Sequence, residues 1–451
     1  MPDTVKTAGD GGDLDCIVVG GGFAGLSAAY RLARKGLRVC VLEAEDSVGG
    51  LAGAFDVEGT RLDRFYHHWF TNDLEVMSLI EELGLSDQVV TSPTSTGVYY
   101  ANSFFKLSTP LDLLRFSALS FPDRIRLGLL TLRARKVRNW RELEELTAAD
   151  WLRQLGGERV FSVVWEPLLH GKFGPYAEKI SAVWFWNKLK LRGGSRGKGG
   201  EERLAYFKGS FYLLAEALAG AISELGGVVR TGSPVSELKR DDSGLWRASG
   251  SWGAVSAPLA VATPALPVIA DMTEGWAPAD WLEQLRRIDY LANVCLVLEL
   301  DRSLSDTYWL NVNDPSFPFV GVIEHTNFES PTVYGGRHIV YLSKYLPHTE
   351  DLYTMPDREV LEFALPHLQR MFPAFRRDWV LGHSVWRARW SQPVVERRYS
   401  SLIPPVNGPE EGLYICSMAQ IYPEDRGTNY AIREGTRLAE ALTLDREVAS
   451  L

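Results

Sequence analysis

Short apolar runs punctuate this chain. Cys16 to Val19 is an unbroken apolar run that stops at three glycines, and the mostly apolar stretch Leu37 to Leu42 stops at the acid Glu43. Valine-rich runs of this length predict strands buried on both faces. Between them, Leu26-Ser27-Ala28-Ala29-Tyr30 is small and apolar, which predicts a helix pressed closely onto the sheet. Farther on, Leu213 to Leu225 has the spacing of an amphipathic helix and ends at Gly226-Gly227; the strand Val228 to Arg230 follows. Leu259 to Thr263 reads as a strand stopped by Pro264. Residues 71–202 read as mainly helical. Residues 269–404 mix strands (Val294 to Leu300, Ile339 to Leu342) with a helix over Glu359 to Met371 that ends before Pro373. Near the end, the run Leu413 to Cys416 leads through a loop to a helix opening at Gly427.

The first strand, turn, helix and second strand carry chemistry. Gly20 permits a tight turn, Gly22 has no Cβ and lets backbone approach a pyrophosphate, and Gly25 lets the helix pack on the strand. Phe23 and Ala24 open the helix, whose free N–H groups and dipole favour a dianion. Glu43 follows about 20 residues beyond the glycines, where a carboxylate accepts ribose hydroxyls. A glycine turn that merely packs a helix is the bland alternative. Strand, helix and acid at the right spacing make a dinucleotide site the better reading.

The segment Glu43 to Ala54, with Ala44 beside the acid and a second pair Gly49-Gly50, resembles the FAD-dependent superfamily of amine oxidases, protoporphyrinogen oxidases, carotenoid desaturases and UDP-galactopyranose mutases. That family often has Arg after the glycine pair. Leu51 stands there in this chain, so one phosphate contact is missing or supplied elsewhere. The resemblance implies an α/β fold: a Rossmann-like FAD-binding domain, discontinuous in sequence (13–70, 203–268 and 405–446), with α+β substrate-binding inserts at 71–202 and 269–404. It implies backbone contacts at Val235 to the adenine and at Ala262 near the pyrophosphate. It also implies a second flavin signature at Gly427, Asn429, Tyr430 and Ala431, whose N–H groups face the flavin edge that becomes negative on reduction.

Composition narrows the setting. Forty-five per cent hydrophobic and 23% charged residues suit a globular protein long enough for two cores, and a net charge of −9 argues against nucleic-acid binding. Cys16, Cys40, Cys295 and Cys416 lie singly in apolar runs, so we expect buried free thiols and no metal site. The polar, glycine-rich start up to Gly12 lacks a signal-peptide core and reads as a loose tail, and no apolar run of membrane-spanning length occurs. A cytoplasmic protein is expected.

Four segments are candidates for the reaction. In Asp63-Arg64-Phe65-Tyr66-His67-His68, the resemblance to the mutases places His67 beside the flavin, and His68 lines the substrate or merely packs. Asp425 and Arg426 precede the flavin-edge helix, where Arg426 holds an anionic group or stabilises reduced flavin; the alternative is a surface ion-pair turn. Around Trp386, Arg387 and Arg389, and at Trp309, Asn311, Asn327 and Tyr341, rings and polar groups suit a hydroxyl-rich ligand, and ordinary sheet packing is the bland alternative. Lys344, ending an apolar run, is a candidate for the amine-oxidase lysine near flavin N5.

Residues 110–141 concentrate arginines among leucines. They dock on anionic lipid, reach a lipid-linked or nucleotide substrate, or form a helix pair with solvated arginines. The expected activity is an FAD-dependent oxidoreductase that takes hydride from a small polar substrate, such as a glycoside or nucleotide sugar. The alternatives are a redox-neutral sugar mutase and a non-catalytic FAD-holding module.

Overall fold

Four consecutive apolar residues with no room for a polar face make Cys16–Val19 (β1) a central strand, and the computed structural model places it between two parallel neighbours. The structure describes residues 14–106, 110–194 and 203–449; the start read as a loose tail lies outside them. β1 leads into helix α1 (Phe23–Arg34), then strand β2 (Val39–Leu42). Helix α2 (Phe211–Glu224) precedes β3 (Val228–Arg230), and β4 (Leu259–Ala262) and β5 (Leu413–Ile415) complete an all-parallel sheet of order β3-β2-β1-β4-β5. The order reverses at β1, so the crevice beyond the carboxyl ends of β1 and β4 is where this architecture binds ligands. The closing helix α3 (Thr428–Ala449) packs on α1. A Cβ at Gly435 would stand 2.3 Å from the Ala24 carbonyl oxygen, so glycine sets that close crossing.

In a second, seven-stranded sheet the longest inner strand, Tyr290–Leu300, lies between the edge strand Val380–Pro393 and His338–Leu346. One edge is built from Thr96–Tyr100 and Ser103–Lys106, so the segment read as mainly helical also contributes strands, which follow its first helix, Leu74–Glu82. The reason is pairing: Thr96–Tyr100 lies parallel to Trp309–Val312 and buries most of its residues, including Val98 and Tyr99. One face of this sheet (Val294, Leu296, Leu342) packs on helix Asp357–Met371. The opposite face (Cys295, Val297, Tyr341) packs toward the first domain. Alternation of side chains across a strand therefore decides which residues reach the seam.

The four cysteines are free and buried. Among the described residues, no helix is long and apolar enough to cross a membrane.

Candidate active site

The glycine turn is shaped by contacts that exclude side chains. Gly20 has φ +103, and a Cβ there would stand 2.4 Å from Thr263 Oγ1; a Cβ at Gly25 would stand 2.0 Å from the Gly20 carbonyl oxygen. Gly22 is different. It is the extended N-cap of α1 with no side-chain cap, and a Cβ there would meet no atom within 4 Å. Phe23 is buried and Ala24 half-buried behind it, so the first N–H groups of α1 meet open space: a cradle of the kind that receives a phosphate.

Glu43 is buried, and its carboxylate accepts N–H bonds from Gly21 at 2.7 Å and Glu45 at 2.8 Å. Burial pushes its pKa up, and those two bonds oppose the shift. Each oxygen has a further lone pair for a hydroxyl donor. Ala44 is exposed beside it. The segment leading to half-buried Val235 runs along the same edge, with the Ser233 N–H donating to the Glu43 carbonyl at 2.8 Å. At the end of β4, buried Ala262 accepts the Cys416 N–H at 3.0 Å.

The second glycine pair lies against the first. Gly49, at φ +107, donates its N–H to the Gly21 carbonyl at 2.8 Å, and a Cβ on Gly50 would stand 3.4 Å from Gly22 Cα. Leu51 is half-buried and carries no charge. The guanidinium of Arg64 returns to this loop instead. Its carbon lies 3.3 Å from where a Gly53 Cβ would sit, it stacks over Trp386 at 4.8 Å, and its buried Nε has no hydrogen-bond partner. Its Nη1 pairs with Glu45 at 2.6 Å, and the pairing of strands Ala54–Val57 and Thr60–Asp63 brings it to this loop.

Across the crevice stands the N-terminus of α3. Gly427 is exposed and its carbonyl accepts the Ala431 N–H at 2.9 Å, the first turn of the helix. Asn429 Oδ1 accepts the Val76 N–H at 3.0 Å, tying α3 to helix Leu74–Glu82. Tyr430 carries Arg433 over its ring at 4.8 Å.

Just before that helix, His67, Asp425 and Arg426 come together. Asp425 is buried, pairs with Lys188 at 2.6 Å and lies 3.9 Å from Lys172. Burial alone would raise its pKa, but Lys188, Lys172 and Arg426 hold the carboxyl well below the usual range. Arg426 donates to the Tyr345 hydroxyl at 3.0 Å, while its buried Nε has no partner. His67 stacks on Phe211 at 5.2 Å, and its buried Nδ1 is also unpartnered. Enclosure and the nearby Arg426 charge lower the His67 pKa to about 4, so the imidazole is neutral at neutral pH. Asp73, also in reach of the Lys188 charge, is pushed up to about 6 by burial. Beneath His67, fully buried Asp63 accepts the Tyr206 hydroxyl at 2.6 Å and the Phe211 N–H at 3.1 Å, which caps α2.

The expected substrate groups divide. Tyr66 links His68 and Trp309 to the cluster: its hydroxyl bonds Ser343 and Tyr345, and the Trp309 ring meets Tyr66 edge-on at 5.0 Å and His68 at 5.4 Å. Asn311 joins them by accepting the Trp309 indole N–H at 3.0 Å. Trp386 lies under Arg64, and Tyr341 is buried, donating to the Asp63 carbonyl at 2.8 Å.

Four expected residues are turned elsewhere. Lys344 follows Ser343 in its strand and so projects to the face opposite Tyr345, where it meets Glu350 at 3.5 Å. Arg387 bonds Asp357 and the Tyr353 carbonyl on the helix-covered face. Arg389, two residues on, contacts His348 on the surface. Asn327 spends its amide hydrogens on the Ser305 and Thr307 carbonyls. Tyr345, Tyr66 and Lys188 were not foreseen. Tyr345 was the most findable, since Tyr341, Ser343 and Tyr345 share one face by alternation. No metal centre was expected; among the described residues, Glu166, His170 and Glu178 bring ligand atoms within 4.8 Å of one another, with His170 and Glu178 exposed.

A profile described as flavin-containing amine oxidoreductase matches residues 23–443. The chain belongs to this family. It is 23% identical over 390 residues to the 15-cis-phytoene desaturase of Narcissus pseudonarcissus, covering 80% of this chain and 66% of that one. It is 30% identical over 195 residues to protoporphyrinogen oxidase 1 of Spinacia oleracea, covering 40% and 34%. It is 26% identical over 189 residues to the coproporphyrinogen III oxidase of Propionibacterium freudenreichii subsp. freudenreichii, covering 38% and 34%. The chain thus spans about a third to two thirds of the length of these curated relatives. In fold, it matches a putative protoporphyrinogen oxidase from Exiguobacterium sp. 255-15 with a TM-score of 0.76, at 16% identity over 97% of this chain and all of that one. A reduced UDP-galactopyranose mutase matches with a TM-score of 0.73, at 15% identity over 95% of this chain and 94% of that one.

Proposed function

We propose that the chain is an FAD-dependent oxidoreductase that oxidises a C–H or C–N bond of a small polar substrate, a glycoside or nucleotide sugar. The observation that carries this reading is the pair of buried, unpartnered nitrogens, Arg426 Nε and His67 Nδ1, at the seam between the glycine cradle and the second sheet. Buried donors without partners are costly, and a bound polar ring or hydroxyl removes that cost. FAD suits the donor set: the N-terminus of α1 and Arg64 for the diphosphate, Glu43 for the ribose, and the N-terminus of α3 for the far edge of the flavin ring. When bound, the flavin would supply the acceptor for two electrons, delivered with one proton as a hydride.

The chain's own groups do the rest. Arg426 holds positive charge at the α3 N-terminus, where negative charge develops. Asp425 orients Lys188 and balances part of that charge. Neutral His67 hydrogen-bonds without adding charge. Tyr66, Trp309 and Tyr345 exclude water and present rings to a sugar.

The test is an anaerobic absorption spectrum of the purified protein with a panel of sugar nucleotides, amines and isoprenoids. Loss of the oxidised-flavin band with a sugar nucleotide supports the reading. Loss only with an amine or isoprenoid keeps the redox class and overturns the substrate. A band that persists, with conversion of a sugar nucleotide only after dithionite, overturns it in favour of a redox-neutral mutase.

A further inference from the structure

Helix Phe121–Lys136 has two apolar stripes, and only one of them is used. Leu127, Leu130 and Ala134 are buried against the protein, while Phe121, Ile125, Leu129 and Leu132 are 63%, 43%, 43% and 54% exposed. At about 100° per residue the exposed four fall within about 80° of one another, on the side opposite the buried stripe. The preceding helix, Pro110–Arg115, adds Leu111 and Leu114, 53% and 42% exposed. Among the described residues, six of the thirteen exposed large apolar side chains lie in this segment, which is a patch rather than scatter.

The charge around the patch selects what covers it. Residues 110–141 hold eight arginines and lysines against Asp112 and Asp123, in a chain of net charge −9. Arg133, Arg135, Lys136 and Arg138 are exposed at the end of the apolar stripe. Arg124 turns inward to the Leu114 and Leu119 carbonyls and locks the two helices together. The helix is therefore preformed: Ser120 caps its start, and the Trp186 indole donates to the Ala134 carbonyl at 3.0 Å. A second copy of this chain would bring like charges face to face. An anionic surface would repel the rest of the molecule and attract this face.

We propose that helix Phe121–Lys136 lies in the interface of an anionic phospholipid membrane, with Phe121, Ile125, Leu129 and Leu132 among the acyl chains and the basic residues at the headgroups. The docking is independent of the substrate reading. Trp186 lies on the same helix as Lys188, so the docked surface stands one helix layer from the seam.

The experiment is flotation of the full-length, flavin-loaded protein with vesicles of phosphatidylcholine alone and of an equimolar mixture with phosphatidylglycerol, at low and high salt. Binding to the mixed vesicles, lost at high salt, is expected. Leu129→Glu with Leu132→Glu should abolish it. Arg133→Gln, Arg135→Gln and Arg138→Gln together should weaken it on the order of 100-fold. All variants should keep the wild-type flavin spectrum and unfolding temperature, since the altered side chains face solvent. Absence of binding at low salt, or equal binding to neutral vesicles, overturns the proposal. So does concentration-dependent self-association of the wild type that the leucine variant removes, because the patch would then be a dimer interface.

Discussion

Lys188 Nζ lies 2.6 Å from Asp425 Oδ2, and this contact joins helix Ala182–Gly194 of the inserted segment to the turn that opens α3. The pair is asymmetric. Asp425 is 5% exposed in its side chain, while Lys188 is 36% exposed. The acid cannot fall back on water, so it depends on its cations; Gln392 adds a bond at 3.3 Å.

Lys188→Met should therefore destabilise the protein by about 1–3 kcal/mol, less than a fully buried pair because solvent screens the lysine. Asp425→Asn in the same chain should recover part of the loss. Urea unfolding of the two single variants and the double variant measures the coupling. Additive losses would mean that the contact holds nothing together.

Flavin retention should depend on Arg64. Its guanidinium lies against Gly53, three residues past the second glycine pair, in a loop where Leu51 offers no charge. Arg64→Met removes a charge-assisted bond worth roughly 1.5–3 kcal/mol, so the flavin dissociation constant should rise tenfold or more. The ratio of flavin to protein absorbance after dialysis reads this directly. Full occupancy would assign the diphosphate to the backbone alone.

The contrast between Glu43 and Lys188 explains what the sequence reveals. Gly20, Gly22, Gly25 and Glu43 belong to one strand-turn-helix-strand unit, so their spacing encodes their geometry. Asp425 and Arg426 were legible because they abut a helix start. Lys188 reaches the site through long-range packing and Arg64 through the register of a hairpin, and nothing in their local sequence marks them. Lys344 fails for a simpler reason: in a period-two strand its neighbour Tyr345 has the seam face, and one position decides between them. The strands at 89–106 were missed because they gain their burial from partners far along the chain.

Lys344→Met should accordingly leave the flavin spectrum and turnover near wild type. Its contact is the half-exposed Glu350 at 3.5 Å, and exposed pairs contribute about 0–1 kcal/mol. Tyr345→Phe, which removes the hydroxyl held by Arg426, should alter the spectrum of the bound flavin. A large loss of turnover in Lys344→Met with an unchanged spectrum would return the lysine to the site.

The pH dependence of stability should combine buried groups that pull in opposite directions. Asp63 is raised from 3.8 to about 7 and Asp73 from 3.8 to about 6. Each holds a proton in the native state that the unfolded chain has lost, so each lowers stability as pH rises between those values. His67 is lowered from 6.5 to about 4 and His325 from 6.5 to about 3. Each refuses a proton that the unfolded chain binds, so each raises stability as pH climbs to 6.5. Removing one group exposes the imbalance, at up to about 1.4 kcal/mol per pH unit. Asp63→Asn should gain stability relative to wild type between pH 4 and 7, and His67→Gln should lose it between pH 4 and 6.5. Urea unfolding across that range, read as the difference from wild type at each pH, cancels the surface carboxylates common to all three proteins. Parallel curves for either variant would mean that its group titrates alike in the folded and unfolded chain, and would remove the buried character assigned to it.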